Sequence, residues 1–235
     1  MVIVITGASK GLGKAIANEF ADDKQGHTFF LCARDKVSLE ATGKELQSRF
    51  PRTNIYTQVC DVADREQLQA FADKILKTSD RVDILVNNAG IFLPGSVYNE
   101  EPGSLEMMMA VNLFGTYHLT RLLLPQMMEA GAGHIFNICS IASIKAYENG
   151  GAYSISKYAM YGFSKNLREE MKPFGIKVTH VLPGAAYTDS WSKSDINPKR
   201  IMEATDIAKL VYAAAHLSPQ ACVEEIVVRP LLGDL

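Results

Sequence analysis

The sequence lacks the closely spaced cysteines and histidines that metal sites and disulfide frameworks require. Its 235 residues include four cysteines and five histidines, and both types are dispersed along the chain. Neither a CxxC motif nor a mixed Cys/His spacing occurs. The cysteines are far apart, and three lie in or beside apolar runs: Cys32, Cys60, Cys139 and Cys222. We therefore predict buried free thiols, a reducing compartment and no metal site.

The sequence also lacks an excess of charge of either sign. Its 24 basic and 26 acidic residues leave a formal net charge of -2, and the basic residues are scattered. This balance gives no electrostatic footprint for nucleic acid or for an anionic membrane. No apolar run reaches the roughly 20 residues that cross a bilayer, and the first strand runs straight into a glycine loop without a signal peptide. We expect a soluble, cytoplasmic protein.

What the sequence does have is a regular alternation of short apolar runs and segments of helical period. The runs are rich in Val, Ile and Phe without polar alternation, which indicates parallel strands covered on both faces. This order predicts an α/β protein with a doubly wound parallel sheet. The predicted strands are Val2–Ile5, Thr28–Cys32, Asn54–Val59, Ile84–Val86, His134–Ile138, Lys177–Leu182 and Glu225–Val228. The predicted helices are Gly13–Ala21, Val37–Phe50, Asp64–Lys77, Leu105–Met128, Ala152–Met171 and Thr205–Ala215.

No linker or low-complexity segment divides the chain, so we predict one Rossmann domain over residues 1–235, with a seven-stranded sheet flanked by helices. Asp64 is a candidate cap for its helix, and Pro173 ends the helix before it. Residues 188–204 have little strand character and are long enough to form a lid over the ligand crevice. Trp191 in this lid either stacks on a flat substrate or simply closes the lid.

A glycine loop follows the first predicted strand and opens the first predicted helix. It reads Thr-Gly-Ala-Ser-Lys-Gly-Leu-Gly over residues 6–13. Glycines at these positions allow a tight turn and let a pyrophosphate approach backbone N–H groups, while the helix N-terminus supplies partial positive charge. The position between strand and helix favours a dinucleotide site over a turn without function.

The spacing T-G-x-x-x-G-x-G differs from the usual G-x-G-x-x-G and resembles that of the short-chain dehydrogenase/reductase family, in its single-domain branch. Asn-Asn-Ala-Gly at residues 87–90 and Pro-Gly at residues 183–184 are similar to further family motifs. Asp61 and Val62 close the third strand where family members hold the adenine. The resemblance implies these cofactor-binding residues: Gly7, Ser9, Lys10, Gly11, Leu12, Gly13, Arg34, Asp61, Val62, Asn88, Ala89, Gly90, Tyr153, Lys157, Pro183, Gly184 and Thr188.

The residues after the second strand bear on which nicotinamide cofactor is used. Family members that use NAD carry a carboxylate at the position that aligns with Ala33, and here Arg34 follows instead. A guanidinium fork matches a 2′-phosphate, and Lys10 adds a second cation nearby. Asp35 is the rival signal, since it could contact a ribose or cap the next helix. We predict NADP(H).

Four residues in the expected chain order resemble the catalytic tetrad of the family: Asn112, Ser140, Tyr153 and Lys157. Tyr153 and Lys157 are i and i+4 on one helix and share a face. The resemblance implies that Tyr153 protonates a carbonyl oxygen while hydride reaches the carbon. An ammonium beside a phenol favours the phenolate, and Ser140 would orient the carbonyl and stabilise developing charge. Asn112 would hold a water that links Lys157 to solvent.

The spacing of Tyr153 and Lys157 is repeated by Tyr161 and Lys165, which we interpret as surface or interface residues. The substrate is less well defined than the chemistry, because this fold hosts many substrates. The tail from Val223 to Leu235 and residues 183–193 resemble bacterial sepiapterin-reductase-like members. A pterin side-chain ketone, bound by Ser140, Tyr153 and Trp191, is therefore one hypothesis.

Other small ketones, aldehydes and 3-oxoacyl thioesters are the alternatives, which would make the chain a general carbonyl reductase or a 3-oxoacyl reductase. A non-catalytic NADPH-binding sensor is the alternative from another class; it would have little need for the tetrad. The resemblance further implies a homodimer or homotetramer that pairs the helices beginning near Asn112 and Tyr153.

Overall fold

The computed structural model describes residues 1–188 and 196–234 of the chain. Apart from two short strands that follow residue 183, strands and helices alternate along these residues, as the hydrophobic pattern predicts. The strands are β1 Val2–Thr6, β2 Thr28–Ala33, β3 Asn54–Val59, β4 Ile84–Asn87, β5 Gly133–Ile138, β6 Ile176–Pro183, β7 Ala186–Tyr187, β8 Met202–Glu203 and β9 Glu225–Val228. The helices are α1 Gly11–Asp22, α2 Lys36–Arg49, α3 Arg65–Thr78, α4 Ser104–Met109, α5 Thr116–Ala130, α6 Gly151–Met171 and α7 Ala204–Ala215.

Seven of the strands form one parallel sheet in the order β3-β2-β1-β4-β5-β6-β9. The strand order reverses between β1 and β4, so the loops after these two strands diverge and leave a crevice at their carboxyl ends. This arrangement confirms the predicted doubly wound Rossmann fold. The sheet directs the glycine loop, the end of β4 and the end of β5 toward the same edge.

Each face of the sheet packs against its own hydrophobic core. Successive side chains of a strand point to opposite faces, and in β1 Ile3 and Ile5 join one core while Val4 joins the other. Helices α1 and α7 cover the first core, and α3 and α5 cover the second. Complete burial of each large aliphatic side chain contributes roughly 1.5–3 kcal/mol. Packing in the two cores holds the strands in register, and therefore positions the strand ends that border the crevice.

The predicted helix cap and helix end are present in the structure. The Asp64 carboxylate accepts hydrogen bonds from the backbone N–H groups of Glu66 and Gln67 and caps α3. A cap of this kind contributes about 1 kcal/mol. Helix α6 ends at Met171, and Pro173 lies in the short 3₁₀ turn that follows.

The helix predicted over Leu105–Met128 is instead three consecutive segments. Between α4 and α5 the chain forms a π-helical turn over Ala110–Gly115. A π-turn widens the helix by one residue, and such turns occur often at functional sites. Asn112 lies inside this turn.

The part of the predicted lid that the structure describes, residues 188 and 196–204, contains the 3₁₀ turn Pro198–Arg200 and strand β8. Strand β8 pairs in parallel with β7, which precedes the lid. The Arg200 guanidinium donates to the carbonyl oxygens of Gly233 at 3.0 Å and Asp234 at 3.2 Å, so the segment is tied to the tail. Trp191 falls outside the described residues, and its role stays a prediction.

Within residues 1–188 and 196–234, none of the helices combines the length and the apolar character that a membrane span needs.

Candidate active site

The glycine loop forms a tight turn between β1 and α1. Gly7 and Gly11 have φ of 64° and 54°, a region that favours glycine. A Cβ atom on Gly7 would lie 2.9 Å from Asn88 Nδ2, and one on Gly13 would lie 2.5 Å from the Gly7 carbonyl oxygen. The turn therefore leaves no space for side chains at these two positions, and its backbone faces the crevice at the start of α1.

The residues after β4 hold the glycine loop in place. The Thr6 hydroxyl accepts hydrogen bonds from the backbone N–H groups of Asn88 and Ala89, both at 3.0 Å. In return, Asn88 Nδ2 donates to the carbonyl oxygens of Thr6 at 2.9 Å and Gly7 at 3.0 Å. The loops that follow the two diverging strands are thus one rigid unit.

A cavity of about 440 Å³ lies in the crevice. It brings together twelve of the predicted cofactor-binding residues: Gly7, Ser9, Lys10, Gly11, Leu12, Arg34, Asp61, Val62, Asn88, Ala89, Gly90 and Thr188. Five further residues line it that sequence reasoning did not assign: Ala33, Asp35, Cys60, Ile91 and Val111. Gly13 packs behind the turn, and Gly184 faces Pro230 and Asp234, so neither borders the cavity. The other three predicted cofactor-binding residues, Tyr153, Lys157 and Pro183, also lie outside its lining.

Asp35 caps the helix that follows it. Its carboxylate accepts from the Ser38 backbone N–H at 2.7 Å and caps α2. These bonds to Ser38, together with the nearby Lys10 charge, lower the pKa of Asp35. The cavity wall at this end therefore carries the exposed cations Arg34 and Lys10 beside a carboxylate that is already engaged as a helix cap.

Tyr153 and Lys157 lie on the first two turns of α6, where the helix passes the end of β5. Lys157 is 5% exposed, and its Nζ donates to the Ile138 carbonyl oxygen at 2.9 Å. The same Nζ lies 5.8 Å from the centre of the Tyr153 ring. A Cβ atom on Gly90 would lie 3.5 Å from this Nζ, so the ammonium is close to the cavity wall. The edge of Phe92 packs on the Tyr153 ring with centroids 5.0 Å apart.

Asn112 joins the π-turn to the loop after β4 and to α6. Its Oδ1 accepts from the Ile91 backbone N–H at 2.8 Å, and its Nδ2 donates to the Ile91 carbonyl at 3.0 Å. Nδ2 also donates to the Ser156 hydroxyl at 2.9 Å. Both N–H groups of the amide are therefore used, and Oδ1 keeps one lone pair for another donor.

Ser140 follows β5 and begins a 3₁₀ turn over Ile141–Ser143. Its hydroxyl accepts from the Ala142 backbone N–H at 3.1 Å, while its own N–H donates to the Ser143 hydroxyl at 3.2 Å. Ser140 is two residues beyond Ile138, whose carbonyl holds Lys157. The hydroxyl, the ammonium and the phenol thus belong to one end of the sheet.

A second tyrosine–lysine pair of α6, Tyr161 and Lys165, has the same spacing but lies beside the edge strand β9. Lys165 Nζ lies 5.1 Å from the centre of the Tyr161 ring, but the Tyr161 hydroxyl donates to Glu225 on the edge strand β9. That hydrogen bond raises the pKa of Tyr161 to about 12. Burial and the nearby Tyr153 raise the pKa of Tyr147 to about 12 as well. Neither of these two phenols releases its proton readily near neutral pH.

A carboxylate from a distant loop stabilises the start of the helix that carries Tyr153. Helix α6 has no capping side chain on Gly150. Glu100 Oε2 instead accepts from the Ala152 backbone N–H at 2.9 Å, and Gly95 bridges to Gly150. A negative charge at a helix N-terminus is favourable. Sequence analysis missed Glu100 because no local pattern indicates a contact between residues so far apart in the chain. Ser156 and Thr6, which hold Asn112 and the loop after β4, were not singled out either, although both lie inside recognised motifs.

In the described ranges, no cluster of three or more His, Cys, Asp or Glu side chains could hold a metal ion.

Comparison with known proteins defines the class. Residues 1–199 match the short chain dehydrogenase family. The chain is 32% identical to a sepiapterin reductase of Chlorobaculum tepidum over 240 residues, with 100% of this chain and 98% of the relative covered. It is 31% identical to an uncharacterized oxidoreductase of Staphylococcus saprophyticus, covering 98% and 97%. The chain belongs to the short chain dehydrogenase family and is an oxidoreductase.

Solved structures agree with this assignment. An alcohol dehydrogenase from the archaeon Thermococcus sibiricus, complexed with 5-hydroxy-NADP, superposes with a TM-score of 0.90 at 27% identity, covering 100% of this chain and 98% of that one. A metagenomic short-chain oxidoreductase in complex with NADP gives a TM-score of 0.85 at 32% identity, covering 98% and 96%.

Proposed function

We propose that this oxidoreductase uses NADPH to reduce a carbonyl group of a small substrate to an alcohol, with Tyr153 as the proton donor. The observation that carries the proposal is the placement of Tyr153 and the buried Lys157 on adjacent turns of α6, with Lys157 Nζ beside Gly90, which lines the cavity that the glycine turn borders. Two solved relatives that bind NADP or 5-hydroxy-NADP support the choice of cofactor.

The residues present fit such a cofactor. The backbone at Gly7 and Gly13 is closed to side chains and presents the start of α1 to the crevice, which suits a pyrophosphate. Arg34 and Lys10 would hold the 2′-phosphate, because Asp35 is committed to capping α2. Asp61 and Val62 would border the adenine, and Lys157 would donate a hydrogen bond to the nicotinamide ribose.

The preference for NADPH over NADH can be tested at Arg34. Replacement of Arg34 by Ala removes a charged hydrogen-bond donor worth about 1.5–3 kcal/mol, so the KM for NADPH is expected to rise roughly ten- to hundredfold. The KM for NADH should change by less than about threefold, because NADH has no 2′-phosphate to lose. Lys36→Ala is the matched control, since this exposed lysine pairs with Glu40 and lies outside the cavity lining. An unchanged preference in Arg34→Ala would assign the discrimination to another residue.

The chain's own residues supply binding and proton transfer. When bound, the reduced nicotinamide supplies the hydride for the carbonyl carbon. The Tyr153 phenol then donates its proton to the carbonyl oxygen as negative charge develops there. The Lys157 ammonium, fixed on Ile138, stabilises the phenolate that remains. The Ser140 hydroxyl donates a hydrogen bond to the same carbonyl oxygen.

Asn112 acts through its neighbours and not by contact with the reacting atoms. Its amide fixes Ile91 and Ser156, and therefore aligns the cavity wall with α6. The free lone pair of Oδ1 lies near Gly90 and Lys157, where it would hold a water molecule that returns a proton to the site. This is the role that the family resemblance implies for Asn112.

The substrate class rests on similarity. The sepiapterin reductase of Chlorobaculum tepidum supports a pterin side-chain ketone as substrate. A panel of sepiapterin, a simple diketone, an aldehyde and a 3-oxoacyl thioester, each followed by loss of NADPH absorbance, tests the proposed reaction. We expect NADPH to be oxidised in the presence of at least one carbonyl compound, and not in the presence of the corresponding alcohol. NADPH binding without turnover of any member would instead support a non-catalytic sensor.

We also propose that the chain pairs with a second copy through the segment from α4 to α5 and through α6. Large apolar side chains of these elements are exposed: Met107 in α4, Phe114 in the π-turn, Tyr117 in α5, and Ile155 and Tyr158 in α6. Exposed apolar patches of this kind mark interaction sites. Light scattering should give the mass of a dimer or tetramer, and Ile155→Asp should shift it toward the monomer, whereas a monomeric parent would refute the proposal.

A further inference from the structure

Two cysteines on neighbouring strands meet behind the cofactor end of the cavity. Strands β2 and β3 are paired with Cys32 opposite Gln58, and the pairing continues to Cys60, whose N–H donates to the Ala33 carbonyl at 3.0 Å. Side chains two residues apart on a strand share a face. Cys32 and Cys60 therefore lie on the same face of the sheet and in the same hydrophobic core.

The two thiols differ in access and in acidity. Cys32 is fully buried, whereas Cys60 lines the cavity with 1% of its surface exposed. The hydrogen bond from Cys32 lowers the pKa of Cys60 in spite of its burial, and the same interaction raises the pKa of Cys32 well above its ordinary value. A thiolate is the nucleophilic form of cysteine. Cys60 is therefore the thiol that reacts first, and Cys32 is the thiol that resolves the product.

We propose that Cys32 and Cys60 are a peroxide-sensitive site whose disulfide closes the cavity to the cofactor. In the first step the Cys60 thiolate attacks a peroxide oxygen and breaks the O–O bond, which gives a sulfenic acid and, after protonation, one water. In the second step the Cys32 sulfur attacks the sulfenic sulfur and expels a second water. The two thiols lose two electrons, and hydrogen peroxide gains them.

The sheet geometry couples this bond to the cavity. Diagonal neighbours on paired strands lie roughly 7–8 Å apart, beyond the Cα separation of about 4.4–6.8 Å in most disulfides, so the bond requires the backbone to shift. The end of edge strand β3 carries Cys60 directly into Asp61 and Val62, which line the cavity. Val62 also packs against the π-turn, where a Cβ atom on Gly115 would lie 2.6 Å from the Val62 carbonyl oxygen. A shift at Cys60 therefore reaches the cavity wall and the turn that carries Asn112.

The test treats the whole protein with hydrogen peroxide in the absence and presence of NADP⁺. The expected product has lost the mass of two hydrogen atoms, gives a Cys32–Cys60 cross-linked peptide, and regains the original mass with dithiothreitol. Bound NADP⁺ is expected to slow its formation at least tenfold, because it covers Cys60 and holds Asp61 and Val62. The oxidised protein should bind NADP⁺ at least tenfold more weakly, as followed by calorimetry.

Two variants make the outcome specific. Cys32→Ala removes the buried thiol outside the cavity and should form no dithiothreitol-reversible intramolecular bond, whereas Cys222→Ala should behave like the parent. The proposal is overturned if the cross-linked peptide is absent, or if the oxidised protein binds NADP⁺ as tightly as the reduced one. The consequence for binding rests on the proposed cofactor, but the peptide map does not. A mapped disulfide in a protein that binds no NADP⁺ even when reduced would count against the cofactor assignment and not against the thiol chemistry.

Discussion

Tyr153→Phe is expected to lower kcat by about a hundred- to ten-thousandfold, because it removes the proposed proton donor and leaves the rest of the site in place. The phenyl ring keeps its edge contact with Phe92, so the fold and the affinity for NADPH should change by less than about threefold. The measurement is NADPH oxidation with a substrate found in the carbonyl panel, together with NADPH binding by fluorescence.

Tyr161→Phe is the matched control for this experiment. It removes a hydroxyl from the same helix, beside a lysine at the same spacing, but the Tyr161 hydroxyl donates to Glu225 on β9. Its kcat should stay within about twofold of the parent. A Tyr153→Phe enzyme as active as the parent would show that another group supplies the proton.

Lys157→Met is expected to reduce kcat/KM by at least a hundredfold through two separate losses. The substitution keeps the length of the side chain but removes the charge that stabilises the phenolate and the donor that would hold the nicotinamide ribose. It also leaves the Ile138 carbonyl oxygen without the Nζ donor, which costs about 1–3 kcal/mol of folding free energy. Steady-state kinetics across pH and thermal unfolding separate the two effects.

Lys165→Met is the comparison for this substitution, because its ammonium also lies over a tyrosine ring but is exposed. Its rate and pH profile should match the parent. If Lys157→Met merely unfolds more easily, while its kcat and pH profile are unchanged at a temperature where it is folded, the residue is structural and the proposed role is refuted.

The strands and helices were predictable because each carries its own periodic signal. Strands β3 and β9 begin and end at the predicted residues, four other strands of the main sheet differ by one residue at one end, and β6 is one residue longer at each end. The π-turn was not predictable, because a helix with one inserted residue keeps nearly the same hydrophobic pattern. Its cause is tertiary: Asn112 reaches across to Ile91 and Ser156.

The candidate site shows the same division. The glycine turn, Arg34, Tyr153 and Lys157 are recognisable from motifs, since their spacing reflects local backbone geometry. The sequence left open whether Asp35 caps a helix, and the structure shows that it accepts a hydrogen bond from Ser38 while it also lines the cavity. The difference between Lys157 and Lys165 was likewise decided by burial against Ile138 on one side and exposure on the other.

The sequence by itself determined the fold class and the chemical types at the site, because periodicity, glycine placement and i, i+4 spacing are properties of neighbouring residues. Only the tertiary structure decided which groups meet: Glu100 at the start of α6, Cys32 beside Cys60, and Asn112 against Ile91. These contacts join residues more than twenty positions apart. They depend on strand order and on the close packing of two cores, neither of which any local pattern encodes.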